Sequence, residues 1–196
     1  MIEITVSKVF NKLFQKENLK NTYYVKIAHK TSPGIDRVHR MVFEKNINEN
    51  IEYISKKVVQ GNYKFIAYKE KLIPKGKGKY PRVVSIPTIR DKVTLNILNE
   101  ILTTAFSHKI TTRLTQNIID DLKKAIDSGK YNYFIKIDIT AFYDNIVQDI
   151  LLEKIKKRIK KQEILDLIKN AIKNPTIIAG AEKKEAEKGV PQGQCH

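Results

Sequence analysis

Residues Tyr131 to Ile146 read YNYFIKIDITAFYDNI, and no other stretch limits the possible folds as much. Tyr133, Ile135, Ile137 and Ile139 alternate with Phe134, Lys136 and Asp138, which is the period of a strand and not of a helix. The strand carries a carboxylate, Asp138, among apolar neighbours and runs on into Phe142 and Tyr143. A buried carboxylate is costly unless it is paired or binds a cation. An isolated aspartate would only cap the next turn, so the meaning of Asp138 depends on what the rest of the chain places beside it.

The flanking segments alternate between helical and extended spacing. Val6, Val9, Phe10, Leu13 and Phe14 predict an amphipathic helix over 5–17. Residues 18–34 show no clear period and end in the turn signal Ser32-Pro33-Gly34. Ile47, Ile51, Ile54 and Val58 predict a helix stopped by Gly61. Phe65 to Tyr68 and Leu72-Ile73 predict one strand or two short ones, with Arg82 to Ile86 as the partner. Between them runs PKGKGKYP, Pro74 to Pro81, a basic turn whose glycines and lysines suit a phosphate. It lacks the spacing of a Walker loop. Thr88 and Asp91 form a capping box ahead of Val93, Ile97, Leu98, Ile101, Leu102 and Ala105, a helix to about Phe106.

A further helix is expected over Thr115 to Ser128, stopped by Gly129 and leading straight into the strand at Tyr131. After that strand, Asp144 or Asn145 is expected to cap a helix along Val147, Ile150, Leu151, Ile155 and Ile159. Phe142 is expected in the core. A break near Lys160 precedes helical spacing at Ile164, Leu165, Ile168 and Ile172, which ends at Asn174-Pro175. Gly180 to Lys188 reads as a mobile link. The fold class is α+β.

With 196 residues the chain can build one real core. Its net charge of +16, from 37 basic and 21 acidic residues, favours a polyanion as partner. The single cysteine, Cys195, excludes a disulfide framework and a cysteine-based zinc site. No apolar run approaches the ~18 residues of a membrane span. No signal-peptide pattern opens the chain, and a cytoplasmic location is the default expectation.

Three stretches stand in one order: the basic turn leading into RVVSIPTIRD at Arg82 to Asp91, FIKIDITAFYDNI at Phe134 to Ile146, and GVPQG at Gly189 to Gly193. Together they resemble the reverse transcriptase family, and within it the bacterial branch that includes group II intron and retron-like enzymes. Gly34-Ile35-Asp36 is similar to the G-x-D segment of that branch. The resemblance covers about residues 30 to 196. It implies a right-hand polymerase with fingers and a partial palm. Residues 1–40 would be an N-terminal helical extension, 41–118 the fingers and 119–196 the partial palm, with a returning fingers segment at about 160–188.

The implied activity is RNA-directed DNA synthesis, in which deoxynucleotides join a primer 3′-hydroxyl with two Mg²⁺ ions in the complete enzyme. Partners would be an RNA template, a DNA or RNA primer and dNTPs, with a structured intron or non-coding RNA as a further candidate and no membrane. Asp138 matches the first catalytic aspartate, and the Ile139 carbonyl would add an oxygen ligand, as hard cations require. Tyr143 matches the aromatic that lies under the nucleotide sugar and leaves no room for a 2′-hydroxyl. Arg82 matches the fingers arginine, whose planar guanidinium can stack on a base and fork onto phosphate. Lys75 falls where the family places a triphosphate lysine, with Lys77 and Lys79 as near alternatives. Gln192 matches the glutamine beside the nucleotide 3′-hydroxyl. Arg90 and Asp91 belong to the pattern too, and a structural role is expected for Asp91.

One element of the family is missing from the sequence. An aromatic followed by a variable residue and two aspartates should lie well beyond Gln192, and no such string occurs. One carboxylate cannot hold two metals. The expectation is therefore a fragment, inactive as a polymerase by itself and prone to self-association through exposed sheet edge and core. Alternatives are an RNA-binding remnant without catalysis and a template-independent, phage-defence type of reverse transcriptase. An RNA polymerase is disfavoured by Tyr143.

Overall fold

The structure, a computed structural model, describes residues 10–29, 31–78, 81–110, 114–178 and 188–193. Val6 and Val9 of the first expected helix, Lys79 of the basic turn, Cys195 and all of Gly180 to Lys188 except Lys188 lie outside the described residues. A helical turn at 10–13 is broken at Phe14, and both Phe10 and Phe14 are buried. Helix α1 (Lys16–Thr22) follows and widens into a π-helical turn at Tyr23–Ile27, where the Ala28 N–H donates to the Tyr23 carbonyl. No period was expected here. The buried residues of this stretch are Leu19, Thr22, Tyr23, Ile27 and Ala28.

Helices α2 (Arg40–Lys45) and α3 (Ile47–Val59) come next, and α3 buries Ile51, Ile54 and Val58 as its spacing predicts. Strands β1 (Tyr68–Ile73) and β2 (Arg82–Ile86) form an antiparallel hairpin with Lys69 opposite Ile86 and Ile73 opposite Arg82. Only Tyr68 of the expected Phe65 to Tyr68 stretch joins the ladder, because the Ile66 N–H is taken by the Asp91 carboxylate.

Helix α4 (Ile89–Ala105) is the central element, with Ile89, Val93, Leu95, Ile97, Leu98 and Ile101 buried around most of its circumference. Its capping box forms in a modified way. The Thr88 hydroxyl accepts from the Asp91 N–H at 3.1 Å and donates to the Asp91 carboxylate at 2.8 Å. Helix α5 (Thr115–Asp127) has the expected bounds, but Ile118, Ile119, Leu122 and Ile126 on its apolar face are exposed.

Residues 133–139 form neither helix nor strand and pair with no strand among the described residues, so the expected palm strand is not part of a sheet. Ile135 and Ile137 are 80% and 84% exposed. A segment without a partner strand has neither ladder hydrogen bonds nor a packed face to hold it in a sheet.

Helices α6 (Gln148–Lys156) and α7 (Gln162–Lys173) bring Ile155, Ile164, Leu167 and Ile168 into the common core. Neither Asp144 nor Asn145 caps α6. Both sit in a 3-10 turn at Tyr143–Asn145, the N-cap is Val147, and no side chain caps that end. A short strand, β3 (Thr176–Ile177), was not expected. It lies parallel to β1, giving the order β2-β1-β3, and the Tyr68 N–H donates to the Pro175 carbonyl at 2.8 Å. No helix of the described residues is long and apolar enough to cross a membrane.

Candidate functional site

The site is built where three backbone segments meet at β2. The first is the hairpin itself. Arg82 opens β2 opposite Ile73, and Lys75 lies two residues beyond the end of β1. Both side chains are exposed.

The second segment is the turn after the extended stretch. Ala141 has φ 49°, the left-handed region that non-glycine residues seldom adopt. Its carbonyl accepts from the Asp144 and Asn145 N–H groups at 3.0 and 3.1 Å and from the Asn145 side-chain amide at 3.2 Å. This closes the turn and leaves Tyr143 half exposed, edge-on to Phe142 with ring centroids 5.4 Å apart. Phe142 is 49% exposed, so it is not the core residue expected from the sequence. Its ring packs on Tyr143 instead of on the interior.

The third segment is Lys188 to Gly193. Lys188 bridges Val147. The Gly189 N–H donates to the Ile146 carbonyl at 2.8 Å and the Val190 N–H to the Tyr143 carbonyl at 3.0 Å. The Ser85 N–H of β2 donates to the Gln192 carbonyl at 2.8 Å. Gly193, at φ 86°, turns the chain against β2, where a Cβ would stand 2.5 Å from Val84 Cγ1. Backbone hydrogen bonds thus join three segments far apart in sequence: the turn bearing Tyr143, the segment bearing Gln192, and strand β2, which Arg82 opens. Beside it is a cleft of about 330 Å³ lined by Val83, Ser85, Asp144, Gln148, Lys188 and Gln192, among others.

Asp138 and Ile139 are exposed on the segment that leads into the turn bearing Tyr143. Among the described residues, no group of three or more His, Cys, Asp or Glu could hold a metal ion. Asp138 therefore belongs to no such group there. Three polar residues that organise the patch drew no attention in the sequence. Ser85 and Thr176 share a hydrogen bond at 2.5 Å between β2 and β3, and the Gln148 side-chain amide donates to the Gly189 carbonyl at 2.8 Å. Each is an ordinary polar residue on or beside an element, and its partner is 91 or 41 residues away, so no local signal marks it.

The charges with shifted pKa values support the scaffold under the hairpin. Burial pushes the Asp91 carboxyl up to about 6, against the Tyr63 and Thr88 hydroxyls and the Ile66 N–H that favour its ionised form. Tyr63, wholly buried beside it, is raised well above its usual value by the same desolvation. Burial lowers Lys92 to about 8, and its ammonium donates to Thr31 Oγ1 and the Ser32 carbonyl. That contact holds the loop in which Gly34 lies against the Thr88 backbone.

Residues 73–195 match the family described as reverse transcriptase (RNA-dependent DNA polymerase). The COX1/OXI3 intron 1 protein of Saccharomyces cerevisiae is 25% identical over 89% of this chain and 22% of its own length. Protein YkfC of Escherichia coli is 21% identical over 97% of this chain and 53% of its own length. The chain thus spans about a fifth and about half of these two relatives. The matched region takes in β2, the turn bearing Tyr143 and the segment bearing Gln192, and it exceeds half of the sequence. On that extent of match, the chain belongs to the reverse transcriptase (RNA-dependent DNA polymerase) family.

Proposed function

We propose that the chain is the nucleotide-positioning part of an RNA-directed DNA polymerase. The observation that supports this reading is the pair of backbone bonds, Ser85–Gln192 and Val190–Tyr143, that joins the Gln192 segment to β2, whose first residue is Arg82, and to the turn bearing Tyr143. In this reading the β1–β2 hairpin belongs to the fingers, and the stretch from α5 onward to the palm, with α7 and β3 returning to the fingers sheet. Arg82 stacks on the incoming base and forks onto its phosphates. Lys75 neutralises triphosphate charge. Tyr143 closes the space that a 2′-hydroxyl would need, and Gln192 contacts the nucleotide near its 3′-hydroxyl. A structured intron RNA is the accessory partner that the yeast relative's name suggests.

Reverse transcriptases typically use Mg²⁺. Asp138 and the Ile139 carbonyl are oxygen donors of the right kind. A metal pair needs several carboxylate oxygens shared between its ions, and the described residues offer no such cluster. They do not by themselves fit the two ions. In this reading the 196-residue chain is inactive alone.

A second reading, RNA binding without catalysis, is favoured by the +16 charge, with no carboxylate cluster of that kind among the described residues. Primer extension on an RNA template, with dNTPs and Mg²⁺, should show no product with this chain. Extension that disappears in Asp138→Ala would overturn the proposed inactivity. Failure to bind RNA even at low salt would remove both readings.

A further inference from the structure

Gln148 is only 3% exposed at the first residue of α6. Its Nε2 donates to the Gly189 carbonyl at 2.8 Å, and its Oε1 is buried without a partner among the described residues. An unpartnered buried acceptor costs stability. A hydrocarbon side chain of the same length would fill the space without that cost. What only the amide supplies is the N–H on Gly189.

Gly189 is a junction. Its own N–H reaches Ile146, the next residue's N–H reaches the Tyr143 carbonyl, and its φ of 87° brings it against the Asp144 backbone. The Gly189 carbonyl is thus the point at which a side chain can grip the segment that carries Gln192. Among the described residues, the backbone pairing at this end is an isolated bridge between Val147 and Lys188. Gln148 adds a contact from a rigid helix end.

We propose that Gln148 is a positioning residue: its amide clamps the Gly189 carbonyl and so sets the spacing between Tyr143 and Gln192. The consequence for nucleotide selection rests on the reading of those two residues given above, whereas the clamp itself does not.

The test is amide hydrogen exchange on the 196-residue chain with Gln148→Met, Gln148→Glu and Gln148→His. Methionine keeps the shape and removes the donor. Glutamate sets an acceptor against the Gly189 carbonyl, and histidine restores an N–H donor. The Gly189 and Val190 amides should exchange at least tenfold faster in Gln148→Met and Gln148→Glu, with α4 amides such as Leu98 and Ile101 unchanged. Gln148→His should recover at least half of the lost protection. A fluorotyrosine resonance assigned to Tyr143, identified by its loss in Tyr143→Phe, should shift in Gln148→Met and return in Gln148→His.

Unchanged Gly189 and Val190 protection in Gln148→Met overturns the proposal. So does an equal loss across α4, which would make Gln148 a general packing residue. Equal behaviour of the methionine and histidine variants also overturns it, because the donor would then be irrelevant. None of these readouts requires polymerisation, so failure of the polymerase reading and failure of the clamp are separately visible.

Discussion

Replacing Asp91 by asparagine should stabilise the protein at neutral pH and leave it unchanged in acid. The carboxyl lies under the hairpin, 1% exposed, and accepts from the Tyr63 hydroxyl at 2.8 Å, the Thr88 hydroxyl at 2.8 Å and the Ile66 N–H at 3.2 Å. Burial still outweighs these donors and lifts the carboxyl from 3.8 to about 6. Below pH 4 the group is protonated both folded and unfolded and imposes no cost. Between about 4 and 6 only the folded protein keeps the proton, so stability falls as pH rises. Above about 6 the full cost is present, about 3 kcal/mol for a rise of that size.

Asparagine is neutral throughout. Its oxygen can accept from Ile66 and Thr88, and its amide can donate to the Tyr63 oxygen. Urea unfolding followed by circular dichroism at pH 4, 5, 6 and 7 measures the difference. Asp91→Asn should match the parent at pH 4 and exceed it by up to about 3 kcal/mol at pH 7. Asp91→Ala should lose about 3–5 kcal/mol at pH 4, since two or three buried donors are then left at about 1–3 kcal/mol each. A gap between parent and asparagine variant that does not widen from pH 4 to 7 would refute the reasoning.

Gly34→Ala places a Cβ 2.7 Å from the Thr88 backbone at the α4 N-cap, and should lower the unfolding free energy by about 1–3 kcal/mol in the same urea assay. Ile135→Asp combined with Ile137→Asp should weaken self-association at least tenfold by sedimentation. The melting temperature should stay nearly constant, because both side chains are exposed and surface changes stay within about 0.5 kcal/mol. A large drop in melting temperature would mean that these side chains are packed within a single chain.

Helical spacing was legible in α3 and α7, whose apolar faces meet the core. Ile51, Ile54 and Val58 of α3 and Ile164, Leu165 and Ile168 of α7 are buried as their periods require. The Arg82–Ile86 strand was legible for a similar reason, because β-branched residues between turn signals leave few other conformations. Leu19, Tyr23 and Ile27 were missed because the stretch passes from an α-helix into a π-helical turn, so no single period runs through it. Thr176–Ile177 was missed because two residues carry no period, and β1 alone makes them a strand.

The family follows from order and spacing along the chain. Arg82, Asp138, Tyr143 and Gln192 are each named by local strings, and such strings survive without knowledge of contacts. The sequence by itself therefore determined which residues to compare and which chemistry to expect. Only the tertiary structure decided which of them meet. It joined Tyr143 to the Gln192 segment and that segment to β2 through backbone groups, which every residue type carries and which leave no trace in composition. It also left residues 133–139 without a strand partner among the described residues, though their alternation is the clearest strand pattern in the chain. Alternation specifies how a strand would face a sheet. Whether there is a sheet to face depends on hydrogen-bonding partners from other segments, and none of the described residues provides them.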